Sequence, residues 1–186
     1  MYPLFRFAKE MVKVRGAPAL APGQAHVSTH LCWPWDLDPW IELNNGRTLT
    51  LFDLGRIPMV ARSGLVPVLR RQGWGLTVAG NTTRYRRRIR MFDRFTMISQ
   101  IIGWDDRFLY IEQSMWKGAE CCNHMLLRAA ITSSAGIVPP ARLAEAAGRD
   151  PASPPLPDWV LGWIAADATR PWPPEVPAAA KAHLPA

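Results

Sequence analysis

The stretch Asp36-Leu-Asp-Pro-Trp-Ile-Glu-Leu-Asn-Asn-Gly-Arg47 places three carboxylates and two adjacent amides directly before a strongly apolar segment. Asn, Asp and Gly favour turns and helix starts, so the pattern predicts that a buried helix begins here. A helix N-terminus offers unpaired backbone N–H groups and a partial positive charge. Such a start can polarise a carbonyl group while a nearby carboxylate activates water, and this pairing suits ester or thioester hydrolysis.

The segments on either side of this stretch predict an α+β domain. Residues 25–33 have the pattern of a strand, and the apolar residues of 49–60 cover most of a helical circumference, which is typical of a buried helix. Pro58, Gly64 and Pro67 should kink or restart this helix before it ends near Gln72. Four strands are then predicted at 76–91, 95–104, 108–116 and 120–132, separated by short polar turns. One long helix followed by consecutive antiparallel strands favours a curved sheet wrapped around the helix.

The composition bounds the kind of protein. The chain has 186 residues, enough for one substantial core with appendages. No stretch approaches the roughly 20 uninterrupted apolar residues that span a bilayer, so we expect no membrane span. The net charge of +7 favours anionic partners, which include nucleic acid, phosphorylated cofactors, acidic carrier proteins and anionic lipid. Cys32 and the adjacent pair Cys121 and Cys122 fit a reducing cytoplasm better than a disulfide framework.

The two ends differ in composition from the central domain, which we predict at 24–142. Residues 1–23 form an extension whose apolar residues Leu4, Phe5, Phe7, Met11 and Val12 should pack on that domain, although a short amphipathic helix on a membrane surface is an alternative. Residues 143–186 form a Pro- and Ala-rich tail, since 11 of the 18 prolines lie after Val138. Within the tail, residues 158–164 are apolar enough to predict docking on the domain or on a second subunit.

Several motifs in order carry a family resemblance. They are Asp36-Leu37-Asp38, Asn44-Asn45, a helix with Asp53 and Arg56, and residues 79–87 and 103–112. With these motifs, residues 24–138 resemble the hotdog-fold thioesterases, in particular the 4-hydroxybenzoyl-CoA thioesterase-like group that includes the plant acyl-ACP thioesterases and the THEM6-like proteins. The resemblance implies a hotdog fold, a thioester hydrolase and at least a homodimer, with each site near a subunit boundary.

Two carboxylates are the predicted catalytic groups, with Asp38 as the leading one and Glu42 assisting with water. Asp38 matches the carboxylate that many of these enzymes use as nucleophile or general base; its structural alternative is to cap the turn or the helix. Glu42 stands where many relatives have a histidine, so a histidine mechanism cannot be transferred, but a carboxylate there could orient or deprotonate water. Glu42 could equally be an exposed loop residue. Asp36 is more suited to holding the loop in shape.

Six further residues are predicted to bind the substrate. Asn44, Asn45 and Gly46 are expected at the helix start, where their amides and backbone N–H groups could bind the thioester oxygen or could serve as ordinary caps. On a strand, Arg84, Arg86 and Arg88 would project to one face as a basic stripe that binds the phosphates of coenzyme A or of an acyl carrier protein. A solvated charged face is equally compatible with these arginines.

The remaining polar residues predict no other chemistry. His26, His30 and Cys32 share one face of the first strand, but no second ligand cluster accompanies them, so we expect no metal site. Asp53 and Arg56 are three residues apart on the helix and should form an ion pair; direct catalysis by Asp53 is the alternative, since other hotdog branches place their carboxylate on the helix.

The predicted function is therefore hydrolysis of an acyl-CoA or acyl-ACP thioester in the cytoplasm, with no cofactor other than the coenzyme A of the substrate. The main alternative is a noncatalytic acyl-binding or interaction protein that keeps the hotdog fold. A nucleic-acid-binding module, which would show salt-dependent association, is the remaining alternative; no recognition motif accompanies the basic residues, so no nucleic acid is expected.

Overall fold

A computed structural model describes residues 2–181, and this part of the chain divides after Pro155 into two compact units. The elements are α1 (Leu4–Val14), β1 (His26–Leu31), α2 (Asn45–Arg62), α3 (Leu65–Gln72), β2 (Gly75–Tyr85), β3 (Arg94–Trp104), β4 (Phe108–Lys117), β5 (Glu120–Ser133), β6 (Gly136–Val138), α4 (Pro140–Ala146), α5 (Asp158–Ala168) and α6 (Ala178–Lys181). A single 3-10 turn, Pro34–Asp36, precedes α2. The first unit contains α1 to α4 and the sheet.

The first unit is a curved antiparallel sheet wrapped around α2, so the predicted hotdog architecture and the α+β class are confirmed. The strands lie in the order β1-β3-β4-β5-β2, and the short β6 pairs with the end of β5. Strands β3, β4 and β5 follow the predicted boundaries within two residues, because short turns separate their alternating patterns. Asp105 fixes one of these turns, since its carboxylate accepts the N–H groups of Arg107 and Phe108 at 2.7 Å.

Helix α2 lies directly against β3, and Gly55 is the residue that permits the close approach. A Cβ atom built on Gly55 would fall 2.5 Å from Sδ of Met97 and 2.6 Å from Oγ of Ser99. Buried polar groups add to this contact: Gln113 of β4 donates to the Phe52 carbonyl oxygen at 2.9 Å and to Ser99 Oγ at 2.7 Å. The central helix is therefore held at a fixed depth and rotation in the sheet.

The break in the predicted long helix occurs at one glycine. Helix α2 ends at Arg62, and α3 begins after Gly64, whose φ of 73° is in the left-handed region that glycine adopts without steric cost. Pro58 lies inside α2 without ending it. The second segment ends at Gln72, as predicted, because Gly73 follows with a φ of 66°.

The N-terminal extension forms α1, but the predicted packing of its apolar residues is wrong in three cases. Phe7 packs against the core, whereas Leu4, Phe5 and Val12 are 64%, 95% and 60% exposed. The inner side of α1 mixes polar and apolar residues: Glu10 is 4% exposed and binds Lys13 within the helix, and the ion pair of Arg6 with Asp36 links the helix to the loop before α2.

The predicted strand 76–91 is too long, and this changes the basic stripe. Strand β2 ends at Tyr85, because the N–H groups of Arg86 and Arg87 both donate to the Cys122 carbonyl oxygen, at 2.8 and 3.2 Å, and break the ladder. Arg84 is therefore the last arginine on the strand. Arg86 and Arg88 follow in an irregular segment and do not alternate with Arg84 on one strand face.

The second unit contains α5 and α6. The apolar segment predicted at 158–164 begins α5, and its docking stays a prediction. Residues 182–186 of the predicted tail lie outside the described residues.

Candidate active site

The loop before α2 is organised by Asp36, whose side chain is fully buried. Its Oδ2 accepts hydrogen bonds from Arg6 at 2.6 Å and from the Trp33 N–H at 3.0 Å, while Oδ1 accepts from Arg47 Nε at 2.6 Å. The Asp36 carbonyl oxygen accepts the N–H of Asn44 at 3.0 Å. One carboxylate thus joins α1, the 3-10 turn and the first turn of α2, which confirms the structural role expected of Asp36.

Helix α2 begins with unpaired donors. Asn44 is the N-cap: its side chain accepts the Arg47 N–H at 2.9 Å, and its carbonyl oxygen accepts the Thr48 N–H at 2.8 Å. The N–H groups of Asn45 and Gly46 have no acceptor among the residues that the structure describes, and both residues are exposed. The positive end of the helix dipole adds to these two donors, so the start of α2 can bind a negatively polarised oxygen.

Asp38 lies in a tight turn that leads to this helix. Its Oδ1 accepts the Trp40 N–H at 2.9 Å, its N–H donates to the Glu42 carbonyl oxygen at 2.9 Å, and its carbonyl oxygen accepts the Ile41 N–H at 3.0 Å. Ile41 has a φ of 59°, a left-handed conformation that the turn imposes on a β-branched residue. The geometry shows Asp38 capping the turn, which was the alternative to catalysis in the sequence analysis. The catalytic role of Asp38 stays a prediction.

Glu42 lies closer to the helix start and shares a pocket of about 180 Å³ with Asn45, Arg86 and Arg88. Its Oε2 lies 2.7 Å from Arg88 Nε, and its side chain is 29% exposed. The structure therefore brings four of the predicted site residues together. Among the other predicted residues, Arg84 and Gly46 do not line this pocket, although Gly46 is on the same helical turn as Asn45.

The backbone explains how distant segments meet at this pocket. The Leu43 N–H donates to the Ile89 carbonyl oxygen at 2.8 Å, and Glu42 forms an isolated bridge with Arg90. The irregular segment after β2 is thus paired with the residues just before α2. Arg86 and Arg88 reach the start of α2 because β2 ends at Tyr85. The early end of β2 therefore explains both why the predicted strand was too long and why these two arginines lie at the pocket.

Tyr85 and Asn123 are two of the pocket residues that were not predicted. The Tyr85 hydroxyl donates to the Asn45 carbonyl oxygen at 3.3 Å, and Asn123, 4% exposed, lies opposite Tyr85 in the β2–β5 register. Both come from parts of the chain far from residues 36–47. Their contribution depends on strand register, which the local sequence pattern does not determine.

A larger cleft of about 910 Å³ lies beside the same helix start. Its apolar and aromatic lining includes Phe5 and Trp35, and Asn44 and Arg47 also border it. The adjacent residues Asn44 and Asn45 therefore line two different pockets, and the first turn of α2 borders both.

The histidines of β1 have ordinary hydrogen-bond partners. His30 Nε2 lies 2.8 Å from Ser28 Oγ, and His26 Nδ1 lies 3.0 Å from Arg62 Nη1. Burial, with smaller contributions from nearby positive charges, lowers the pKa of His30 to about 3. Cys32, Cys121 and Cys122 are free thiols. Within residues 2–181, no group of three or more His, Cys, Asp or Glu side chains could hold a metal ion.

The ion pair predicted on α2 is present. Arg56 contacts Asp53 through a hydrogen bond and donates a second hydrogen bond to Gln113 Oε1 at 3.0 Å. Both partners also border a separate pocket of about 260 Å³ with Asn81 of β2. None of the helices in the described part of the chain is long and apolar enough to cross a membrane.

Comparisons with known structures agree with this architecture. The E. coli probable thioesterase YbaW aligns with 65% of this chain and 95% of its own at a TM-score of 0.61 and 16% identity. A putative oleoyl thioesterase from Lactobacillus plantarum aligns with 85% of this chain and 60% of its own, with a TM-score of 0.62 and 14% identity. Slr0204 of Synechocystis, a 1,4-dihydroxy-2-naphthoyl-CoA thioesterase, aligns with 66% of this chain and 93% of its own, with a TM-score of 0.57 and 8% identity. At these identities the likeness establishes the fold.

Sequence comparison then gives the family. The model of the thioesterase-like superfamily matches residues 32–164, which include the loop before α2, the central helix and strands β2 to β6, so the chain belongs to that superfamily. The chain is also similar to Protein THEM6 of Xenopus laevis, with 35% identity over 88 residues, or 47% of this chain and 42% of that protein. Protein THEM6 of Drosophila melanogaster is 34% identical over 84 residues, covering 45% and 44%. The match spans less than half the length of each relative.

Proposed function

We propose that the protein hydrolyses an acyl thioester at the start of α2. The observation that carries the proposal is the pair of unpaired N–H groups at Asn45 and Gly46, next to a pocket that contains the carboxylate of Glu42. In this proposal the thioester carbonyl oxygen accepts hydrogen bonds from those two donors. The developing negative charge is then stabilised by the helix N-terminus, which is already oriented before the reaction.

Glu42 is the group that we assign to the attacking water. It shares the pocket with Asn45, whereas an oxygen of Asp38 is occupied by a turn N–H. Water would lose a proton to Glu42 as its oxygen bonds to the carbonyl carbon. The tetrahedral intermediate would then collapse with cleavage of the C–S bond, and the leaving sulfur would take that proton from Glu42 as the thiol departs. Arg88, ion-paired with Glu42, would hold this carboxylate in place.

The carrier and the acyl group take different sides of the helix start in this proposal. Arg86, Arg87 and Arg88 are exposed around the Glu42 pocket and fit the phosphates of coenzyme A or of a carrier-protein arm. The larger cleft, with Phe5 and Trp35, fits an apolar or aromatic acyl group. The chemistry uses protein groups and the coenzyme A that the substrate carries. We place it in the cytoplasm, because three free thiols suit a reducing compartment.

A homodimer through the free edge of β2 is part of the proposal. Strand β2 is last in the strand order and pairs with β5 on one side, so its other edge is available to a second copy. Val78 and Tyr85 of this strand are 49% and 42% exposed, and Tyr85 also lines the Glu42 pocket. Sedimentation equilibrium should show a dimer that Val78→Lys converts to a monomer; a monomeric wild type with full activity would contradict this placement.

The test is thiol release from short, long and aromatic acyl-CoA substrates and from acyl-ACP, with Asp38→Asn and Glu42→Gln compared with the wild type. Glu42→Gln should lower kcat by about 10²- to 10⁴-fold, and Asp38→Asn should lower it less. Thiol release that neither substitution affects would refute the carboxylate assignment. Acyl-chain binding without release of thiol from any substrate would instead support a noncatalytic acyl-binding protein.

A further inference from the structure

A second cavity lies at the opposite end of α2 from the proposed catalytic site. Its volume is about 440 Å³, within the range of roughly 300–1,000 Å³ that small-molecule sites occupy. Met59 of the last turn of α2 and Ser63, which directly follows the helix, border it. Met59 is 14 residues from Asn45, which corresponds to roughly 21 Å along a helix. The two sites are therefore separate.

The walls of this cavity are mainly apolar and come from several parts of the first unit. They include Leu65 of α3, Trp104 and Leu109 of the β3–β4 hairpin and Leu143 of α4. Leu65, Leu109 and Leu143 are at most 6% exposed and belong to the core. The cavity is thus built into well-packed elements, and an apolar molecule that fills it gains contacts that water does not supply.

Several polar groups at the cavity already make hydrogen bonds within the protein. Ser153 Oγ accepts the Trp104 N–H at 2.9 Å, and Gln24 Oε1 accepts the Ala21 N–H at 3.0 Å. Asp150 is exposed, with one oxygen on the Ala152 N–H at 2.8 Å.

Arg149 is the group with donors to spare. It is half-buried, and within the described part of the chain its guanidinium makes a single hydrogen bond, donated by Nη2 to the Ser63 carbonyl oxygen. A guanidinium has five N–H donors, so most of those on Arg149 remain for a ligand.

We propose that this cavity binds an apolar monocarboxylate of the fatty-acid class, with the hydrocarbon chain against Leu65, Leu109 and Leu143 and the carboxylate on Arg149. The match is one of shape and charge: an apolar enclosure with one half-buried cation at its border recognises a ligand that has one anionic end. The site does not require the proposed hydrolysis, since it lies at the other end of α2.

The position of Trp104 in the wall provides a direct readout. Decanoate with a bromine atom on its chain should quench Trp104 fluorescence in a saturable manner, and most of this saturable quenching should disappear in Trp104→Phe. Bromine-labelled decanol, which has the same chain without the charge, should bind at least about tenfold more weakly, as expected for the loss of a charge-assisted hydrogen bond.

Two substitutions separate the carboxylate from the chain. Arg149→Met should weaken decanoate binding by about tenfold or more, whereas Arg142→Met, which removes an equal charge from an arginine over the Trp74 ring, should not. Ala152→Phe, at an exposed cavity residue, should block binding of both ligands while leaving the thermal unfolding midpoint within a few degrees of the wild type. Equal affinity for decanoate and decanol, unchanged binding in Arg149→Met and Ala152→Phe, or quenching that persists in Trp104→Phe would each overturn the proposal. Because the readout is binding alone, its outcome is independent of thioester hydrolysis.

Discussion

The buried carboxylate of Asp36 should be the most sensitive charge in the fold, and Asp36→Asn is the substitution that tests this. The side chains of Arg6 and Arg47, its two partners, are 17% and 14% exposed, and Asp36 itself is fully buried. An asparagine keeps the volume and can still accept one N–H, but it removes the negative charge that the two nearly buried guanidinium groups contact. Removing one member of a buried ion pair costs about 3–5 kcal/mol.

Urea denaturation measures how much Asp36→Asn lowers the free energy of unfolding. At a slope of about 2 kcal/mol/M, a loss of about 4 kcal/mol lowers the unfolding midpoint by about 2 M. Asp38→Asn is the matched control, because Asp38 makes its hydrogen bonds in a surface turn and should cost about 1 kcal/mol or less. If Asp36→Asn shifts the midpoint no more than Asp38→Asn does, the ion-pair cluster does not hold α1 and α2 together.

Two further predictions concern the packing of α2 and the buried histidine of β1. Gly55→Ala should lower the free energy of unfolding by about 1–3 kcal/mol, because the added Cβ would meet Ser99. Gly16→Ala, with open space around the glycine, should leave the free energy of unfolding nearly unchanged. Equal effects of the two substitutions in chemical denaturation would contradict the close helix–sheet contact. His30 has a folded pKa of about 3 against an unfolded value of about 6.5, so its contribution to stability is complete above pH 6.5 and is lost as the pH falls towards 3. That loss is about 2 kcal/mol at pH 5, and His30→Gln should flatten the corresponding part of the stability profile; an unchanged slope would show that His30 is not held neutral.

Periodicity was sufficient for the architecture because the elements of this fold have strong local patterns. The helix starting at Asn45, its interruption near Gly64 and strands β3 to β5 follow from apolar spacing and from glycine and proline positions. The early end of β2 could not be predicted in this way, since it depends on two N–H groups that share the Cys122 carbonyl oxygen across the sheet. The run of arginines alternates with other residues in sequence, but the backbone does not remain extended along it.

The candidate site was partly predictable, because some of its residues lie in one short stretch of sequence. Asn44 and Asn45 were identified from capping chemistry, and Glu42 from its position in the family resemblance. All three are close together in sequence and lie at or just before the start of α2. Tyr85 and Asn123 were missed because they enter the pocket through the register of β2 and β5. The outward apolar residues of α1 were misassigned because the ion pair of Arg6 with Asp36 orients that helix. Amphipathic spacing within α1 does not reveal a partner that lies 30 residues further along the chain.

The most direct test of the proposed site compares Asn45→Pro with Asn45→Ala in acyl-CoA hydrolysis. Asn45 is the first residue of α2, and Asn44 before it has φ −60° and ψ 138°, a conformation that a following proline favours. Proline therefore removes the N–H donor without breaking the helix, while alanine removes only the side chain.

If the Asn45 N–H stabilises the tetrahedral intermediate, Asn45→Pro should lower kcat by about 10²- to 10³-fold with folding intact, and Asn45→Ala should remain within a few-fold of the wild type. Equal kcat values for the two folded variants would contradict a carbonyl-binding role for the start of α2.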